Sequence, residues 1–83
     1  MGKYSIEFSK KAAKSYARLP EDYKTLVDLA LYKLSEGLPV DIKPILGEKD
    51  IYRIRVGRYR ILFTIIDNVV LISSIGPRGD IYK

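Results

Sequence analysis

The chain has 83 residues, 47% of them apolar, and carries 15 basic against 10 acidic side chains for a net charge of +5; this suits one small domain, residues 1–83, that buries only about 60–65% of its unfolded surface. It contains no cysteine and no histidine, which excludes disulfides, thiolate zinc sites and any chemistry that needs imidazole, so no metal or cofactor is expected. No run reaches the roughly 20 apolar residues of a membrane span and MGKYSIEFSKK lacks the apolar core of a secretory signal, so a cytoplasmic protein with no membrane partner is expected.

Tyr4, Ile6 and Phe8 alternate with Ser5 and Glu7, the period of a strand that buries one face. Ser9 is placed to cap a helix over Lys10 to Leu19, in which Ala12, Ala13, Tyr16 and Leu19 share one side. Lys10, Lys11, Lys14 and Arg18 share the other, a basic face that is either solvated or free to track an RNA backbone. Pro20 ends this helix and opens the next, where Glu21 and Asp22 complement the helix dipole in the first turn. Tyr23, Leu26, Val27, Ala30, Leu31 and Leu34 form the apolar stripe of that second helix, and Gly37 supplies the stop. Such a stripe is core. Leu38 to Asp50 holds Pro39, Pro44 and Gly47 without a sustained period and reads as an irregular connector.

Ile51 to Tyr82 reads as a three-stranded antiparallel meander. Tyr52, Ile54 and Val56 alternate with Arg53 and Arg55, and Gly57-Arg58 is a two-residue turn of the type that wants glycine first. That turn sets a register in which Val56 faces Tyr59, Arg55 faces Arg60 and Arg53 faces Leu62. A second two-residue turn at Asp67-Asn68 pairs Ile66 with Val69, brings Ile75 opposite Arg60, and leads Gly76-Pro77-Arg78 out beside the same arginines. Like charges directly opposite each other cost up to roughly 1 kcal/mol, so the pairing of Arg55 with Arg60 implies a fold that expects an anion there. The charge distribution agrees: residues 51–83 hold five of the six arginines and +4 of the net charge, and arginine's planar fork matches phosphate bidentately. The order is β-α-α-β-β-β, an α+β fold in which a helical hairpin packs on one face of a small, largely antiparallel sheet.

The stretch YRIRVGRYRILF, a following hydrophobic strand and I-G-P-R-x-x-x-Y resemble the RelE/ParE toxin superfamily, and the upstream strand, helical hairpin and K-P-I-L-G connector fall in that family's order. The RelE branch is the nearer match. The resemblance implies the toxin of a type II toxin-antitoxin system, a ribosome-dependent endoribonuclease that cuts mRNA in the A site. The reaction is attack of a ribose 2′-hydroxyl on the adjacent phosphate, without metal, which asks the protein to orient a nucleotide, stabilise a phosphorane and move two protons. On that reading Arg60, Arg78 and Tyr82 are catalytic, Arg53, Arg55 and Arg58 hold RNA phosphates, and an acidic RelB-like antitoxin is the partner. The best-known members have lysine at the positions of Arg53 and Arg55. Arginine cannot act as a base, so Tyr82 is left as the titratable group. A ParE-like DNA gyrase inhibitor and a catalytically weak homologue that only binds RNA or antitoxin are the alternatives.

Overall fold

The computed structural model describes residues 3–77. These form β1 (Ser5–Phe8), α1 (Lys10–Ala17), α2 (Glu21–Glu36), β2 (Ile42–Pro44), β3 (Tyr52–Val56), β4 (Tyr59–Ile66) and β5 (Val69–Pro77). The strands make one sheet in the order β1-β5-β4-β3-β2, antiparallel throughout except that β1 runs parallel to β5. Both helices cover one face. The expected hairpin on a largely antiparallel sheet is therefore what forms, with one addition: the connector read as irregular contains β2, an edge strand that pairs with β3.

The helices begin and end where their chemistry says. Ser9 caps α1, its Oγ accepting from the Ala12 N–H at 3.0 Å. The helix stops at Ala17, two residues early, because the residue before Pro20 is disfavoured in the helical region, and the N–H of Leu19 closes a last turn on the Tyr16 carbonyl. Pro20 is the cap residue of α2 and makes no side-chain bond, leaving Glu21 and Asp22 to complement the dipole. Gly37 ends α2 at φ 76, the left-handed conformation that glycine adopts at least cost.

The core lies between the hairpin and the sheet. Val27, Leu31 and Leu34 of α2 and Ala12 of α1 meet Ile54, Ile61, Phe63, Val70, Ile72 and Ile75, all buried. Leu26 departs from the expected stripe. It is 45% exposed and lines a groove with Leu29, Lys33, Val40 and Arg55 instead. Across the hairpin the Tyr16 hydroxyl donates to Asp28 at 2.6 Å, and holding that proton against a carboxylate raises the phenol above its ordinary value of 10.0.

The β4–β5 pairing contains the one break in register. Phe63 faces Ile72 and Leu62 faces Ser74, so Ser73 is an extra residue, a bulge. This corrects the expected pairing of Ile75 with Arg60: Gly76 stands there, and Ile75 pairs with Ile61 and is buried. The cause is hydrophobic phase. Without the bulge Ser74 and Gly76 would follow Val70 and Ile72 into the core; with it, Ile75 does. Ser73 is held from both sides, its Oγ donating to the Leu62 carbonyl at 3.2 Å and its own carbonyl accepting from Ser9 Oγ at 3.1 Å. One serine thus caps α1 and pins the bulge.

Two outcomes test these contacts. Ser9→Ala should lower stability by about 1–2 kcal/mol in denaturant melts, and Ser9→Asp, which caps but cannot donate to Ser73, should recover only part of it. In an alkaline titration followed by tyrosine absorbance, Asp28→Asn should return Tyr16 towards its ordinary value. The sign follows from the raised folded pKa: what this bond contributes to stability is complete below pH 10.0 and is lost as pH rises through the folded value.

Candidate functional site

The site is built by the β3–β4 hairpin. Gly57 takes φ 59 while Arg58 keeps a negative φ, the pattern expected of the turn, and the pairs Val56 with Tyr59, Arg55 with Arg60 and Arg53 with Leu62 all form. A side chain at Gly57 would be strained twice over, by its φ and by Tyr23 Cε1 at 2.9 Å from where its Cβ would lie. Tyr23 also packs against Tyr59, ring centroids 4.5 Å apart, so α2 braces the turn from the core side. Side chains on a strand alternate, and what the core does not take of Arg53, Arg55 and Arg60 goes to the opposite face.

That face is less open than the sequence suggests. Arg55 and Arg58 are exposed, but Arg60 and Arg53 are only 6% and 7% exposed. Arg53 has a partner: Nη1 donates to the Asp41 carbonyl at 3.4 Å and lies 3.7 Å from Asp41 Oδ2. Burial of a charge requires such compensation, and Asp41 supplies it from the residue before β2. Arg55, Gly57, Arg58, Tyr59 and Arg60 line a pocket of about 170 Å³. Gly76 opposite Arg60 adds no side chain to that row, a consequence of the bulge.

The hairpin therefore brings Arg55, Arg58 and Arg60 together and sets Arg53 one row away, engaged with Asp41. The expected sites Arg78 and Tyr82 lie outside the described residues. Among the described residues no group of acidic side chains is arranged to hold a metal, and no helix is long and apolar enough to cross a membrane. The basic face of α1 is formed as expected, with Lys10, Lys11, Lys14 and Arg18 lining a shallow surface depression. Reasoning from sequence missed Asp41 and Lys43, which β2 brings to the arginine face, Lys43 directly opposite Arg53. The signal was weak: three residues of alternation, Ile42, Lys43 and Pro44, ending on a residue that only an edge strand tolerates.

Chemically, the pocket offers three guanidinium groups on one hairpin, that of Arg60 buried, without a carboxylate among its lining residues. Such a site suits an anion whose charge is spread over several oxygens. Known proteins resemble this chain in sequence and in fold. A curated protein of Methanocaldococcus jannaschii, provisionally designated toxin RelE1, is 26% identical over 87 residues, covering 98% of this chain and 97% of its own. The RelE toxin in the RelB–RelE antitoxin-toxin complex from Methanococcus jannaschii superposes with a TM-score of 0.79 at 28% identity over 92% of this chain and 94% of that one. The RelBE2 toxin-antitoxin complex from Mycobacterium tuberculosis gives 0.76 at 31% identity, covering 92% and 99%. The sequence profile of the ParE toxin of the type II toxin-antitoxin system, parDE, matches residues 6–82. With nearly all of its length inside that profile and its fold shared with RelE toxins, the chain belongs to the RelE/ParE family of type II toxins, on the RelE side of it.

Proposed function

We propose that this toxin is a ribosome-dependent endoribonuclease that cleaves mRNA in the A site by attack of a 2′-hydroxyl on the neighbouring phosphate. The observation that carries this reading is the facing pair Arg55 and Arg60 with Arg58 beside them, a cationic pocket built at a cost to the folded protein. In the reaction two negative charges gather on the phosphorane oxygens, and preorganised donors act there without reorganising. Arg60 is the donor held most firmly, being buried on a central strand. Arg78 joins it in stabilising the phosphorane, and Tyr82 accepts the 2′-hydroxyl proton or hydrogen-bonds the nucleophile. Arg55 and Arg58 hold flanking phosphates. Arg53, occupied by Asp41, adds its charge from one row away rather than a direct grip.

The two RelE structures above are toxin-antitoxin complexes, the one from Methanococcus jannaschii with RelB. An acidic, RelB-like antitoxin that covers the arginine pocket is the partner this reading gives the chain. A second reading, inhibition of DNA gyrase, is favoured by one observation, the ParE name of the matching profile. Primer extension on translated messages after induction separates the two: the ribonuclease leaves cuts at A-site codons, the gyrase inhibitor leaves messages intact and blocks supercoiling.

Arg60→Ala and Arg78→Ala should each slow single-turnover cleavage on programmed ribosomes by roughly 10²-fold or more, with binding affected less. Because Arg60 is buried, its melting temperature is the control, and Arg60→Lys tests the planar fork in a protein that keeps the charge. Cleavage within a few-fold of wild type in both alanine variants would remove these residues from the mechanism. For the antitoxin, binding should weaken steeply with salt, raise the melting temperature, and shield Arg55 and Arg58 from arginine-modifying reagents. Equal modification in the free and bound toxin would show that the antitoxin acts elsewhere.

A further inference from the structure

Cleavage by a 2′-hydroxyl needs a proton delivered to the 5′-oxygen as it leaves, and arginine does not give up protons. Across β2, β3 and β4 the arginine face carries Arg53, Arg55, Arg60 and a fourth cation, Lys43, with the remaining positions filled by groups that do not titrate. Lys43 stands directly opposite Arg53, so their side chains share that face, with Cα atoms about 4.5–5.5 Å apart. Arg55 lies two residues along the same strand as Arg53, a further step of about 7 Å.

The placement opposes two like charges, and the compensation is one-sided. Asp41 pairs with Arg53, whereas Lys43 is exposed and makes no ion pair among the described residues. Lys43 and Arg53 line one side of a cleft completed by Pro44, Ile45 and Leu46. Pro44 closes β2 directly after Lys43, and β2 is the edge strand, so among the described residues no strand lies beyond it in the sheet. A compact ammonium on a flexible stem beside Arg53, at the edge of the arginine face, has the attributes of a proton donor: it is charged, reachable from solvent, and able to lose a proton.

We infer that Lys43 is the general acid that protonates the leaving 5′-oxygen, an inference that rests on the ribonuclease reading above. As the 2′-oxygen bonds to phosphorus its proton passes to the acceptor named above, Tyr82, or to water where Tyr82 only hydrogen-bonds the nucleophile. The bond from phosphorus to O5′ breaks, its electron pair stays on the oxygen, and that oxygen takes the proton from Lys43 Nζ. The products are a 2′,3′-cyclic phosphate and a 5′-hydroxyl, and neutral Lys43 regains a proton from solvent. The arginines stabilise charge on the non-bridging oxygens while Lys43 acts on the bridging one.

A change of leaving group tests this. Ribosomes are programmed with an mRNA whose A-site codon carries either the natural linkage or a single 5′-bridging phosphorothiolate, whose sulfur leaves without a proton. Lys43→Ala and Lys43→Arg, both with wild-type melting temperatures because the side chain is exposed, should be at least about 10²-fold slow on the natural linkage and close to wild type on the thiolate. The inference is overturned if Lys43→Arg cleaves the natural linkage as fast as wild type, since charge alone would then suffice. Equal slowing on both linkages overturns it too. Failure of the wild type to cleave either linkage would instead remove the ribonuclease reading, and this inference with it.

Discussion

The pairing of Arg55 with Arg60 across β3 and β4 is the constraint on which the rest of this structure turns. Two guanidinium groups on facing positions repel, and a fold selected for stability alone would place a carboxylate or a threonine at one of them. Keeping both requires a hairpin that cannot slip. Slipping by one residue would move the arginines into the core and Ile54 and Ile61 out of it. The turn at Gly57, the Tyr23 ring against it, and the buried residues Ile54, Ile61 and Phe63 supply the resistance. Stability is invested on one face of the sheet so that charge can be held on the other.

The bulge at Ser73 serves the same end from the neighbouring strand. It returns Ile75 to the core and puts Gly76 next to Arg60, so the row that holds Arg55 and Arg60 meets β5 at a residue without a side chain. That the cap of α1 is also the tether of the bulge, through Ser9, links the helical layer to the charged face by two hydrogen bonds. Binding sites that need sub-ångström placement are better held by strands than by loops, and here three of the arginines stand on strands.

Much of this was legible in the residues. Alternation from Tyr52 to Val56 and a glycine-first turn determine which residue faces which, because strand period and turn length leave one register compatible with a buried face. Caps at Ser9 and Gly37 and acidic residues after Pro20 mark the helices for the same local reasons. What was hidden depends on contacts between distant segments. The three residues of β2 have too little pattern to announce a strand and become one by pairing with β3. The bulge shows in sequence only as a shift of apolar phase around Ser73-Ser74. The burial of Arg53 could not be read, since its partner Asp41 arrives from a segment without a period of its own.

If the arginine pair opposes folding and is kept for an anion, substitution of one member tests both halves at once. Arg55 is the suitable residue because it is exposed and can be replaced by threonine, a good strand former, without opening a cavity. Measured at low salt, Arg55→Thr should melt at a higher temperature than the natural protein and bind programmed ribosomes more weakly, the two differences shrinking together as salt is raised. A lower melting temperature with undiminished ribosome binding would contradict the account, for the pair would then be a structural feature and not a site.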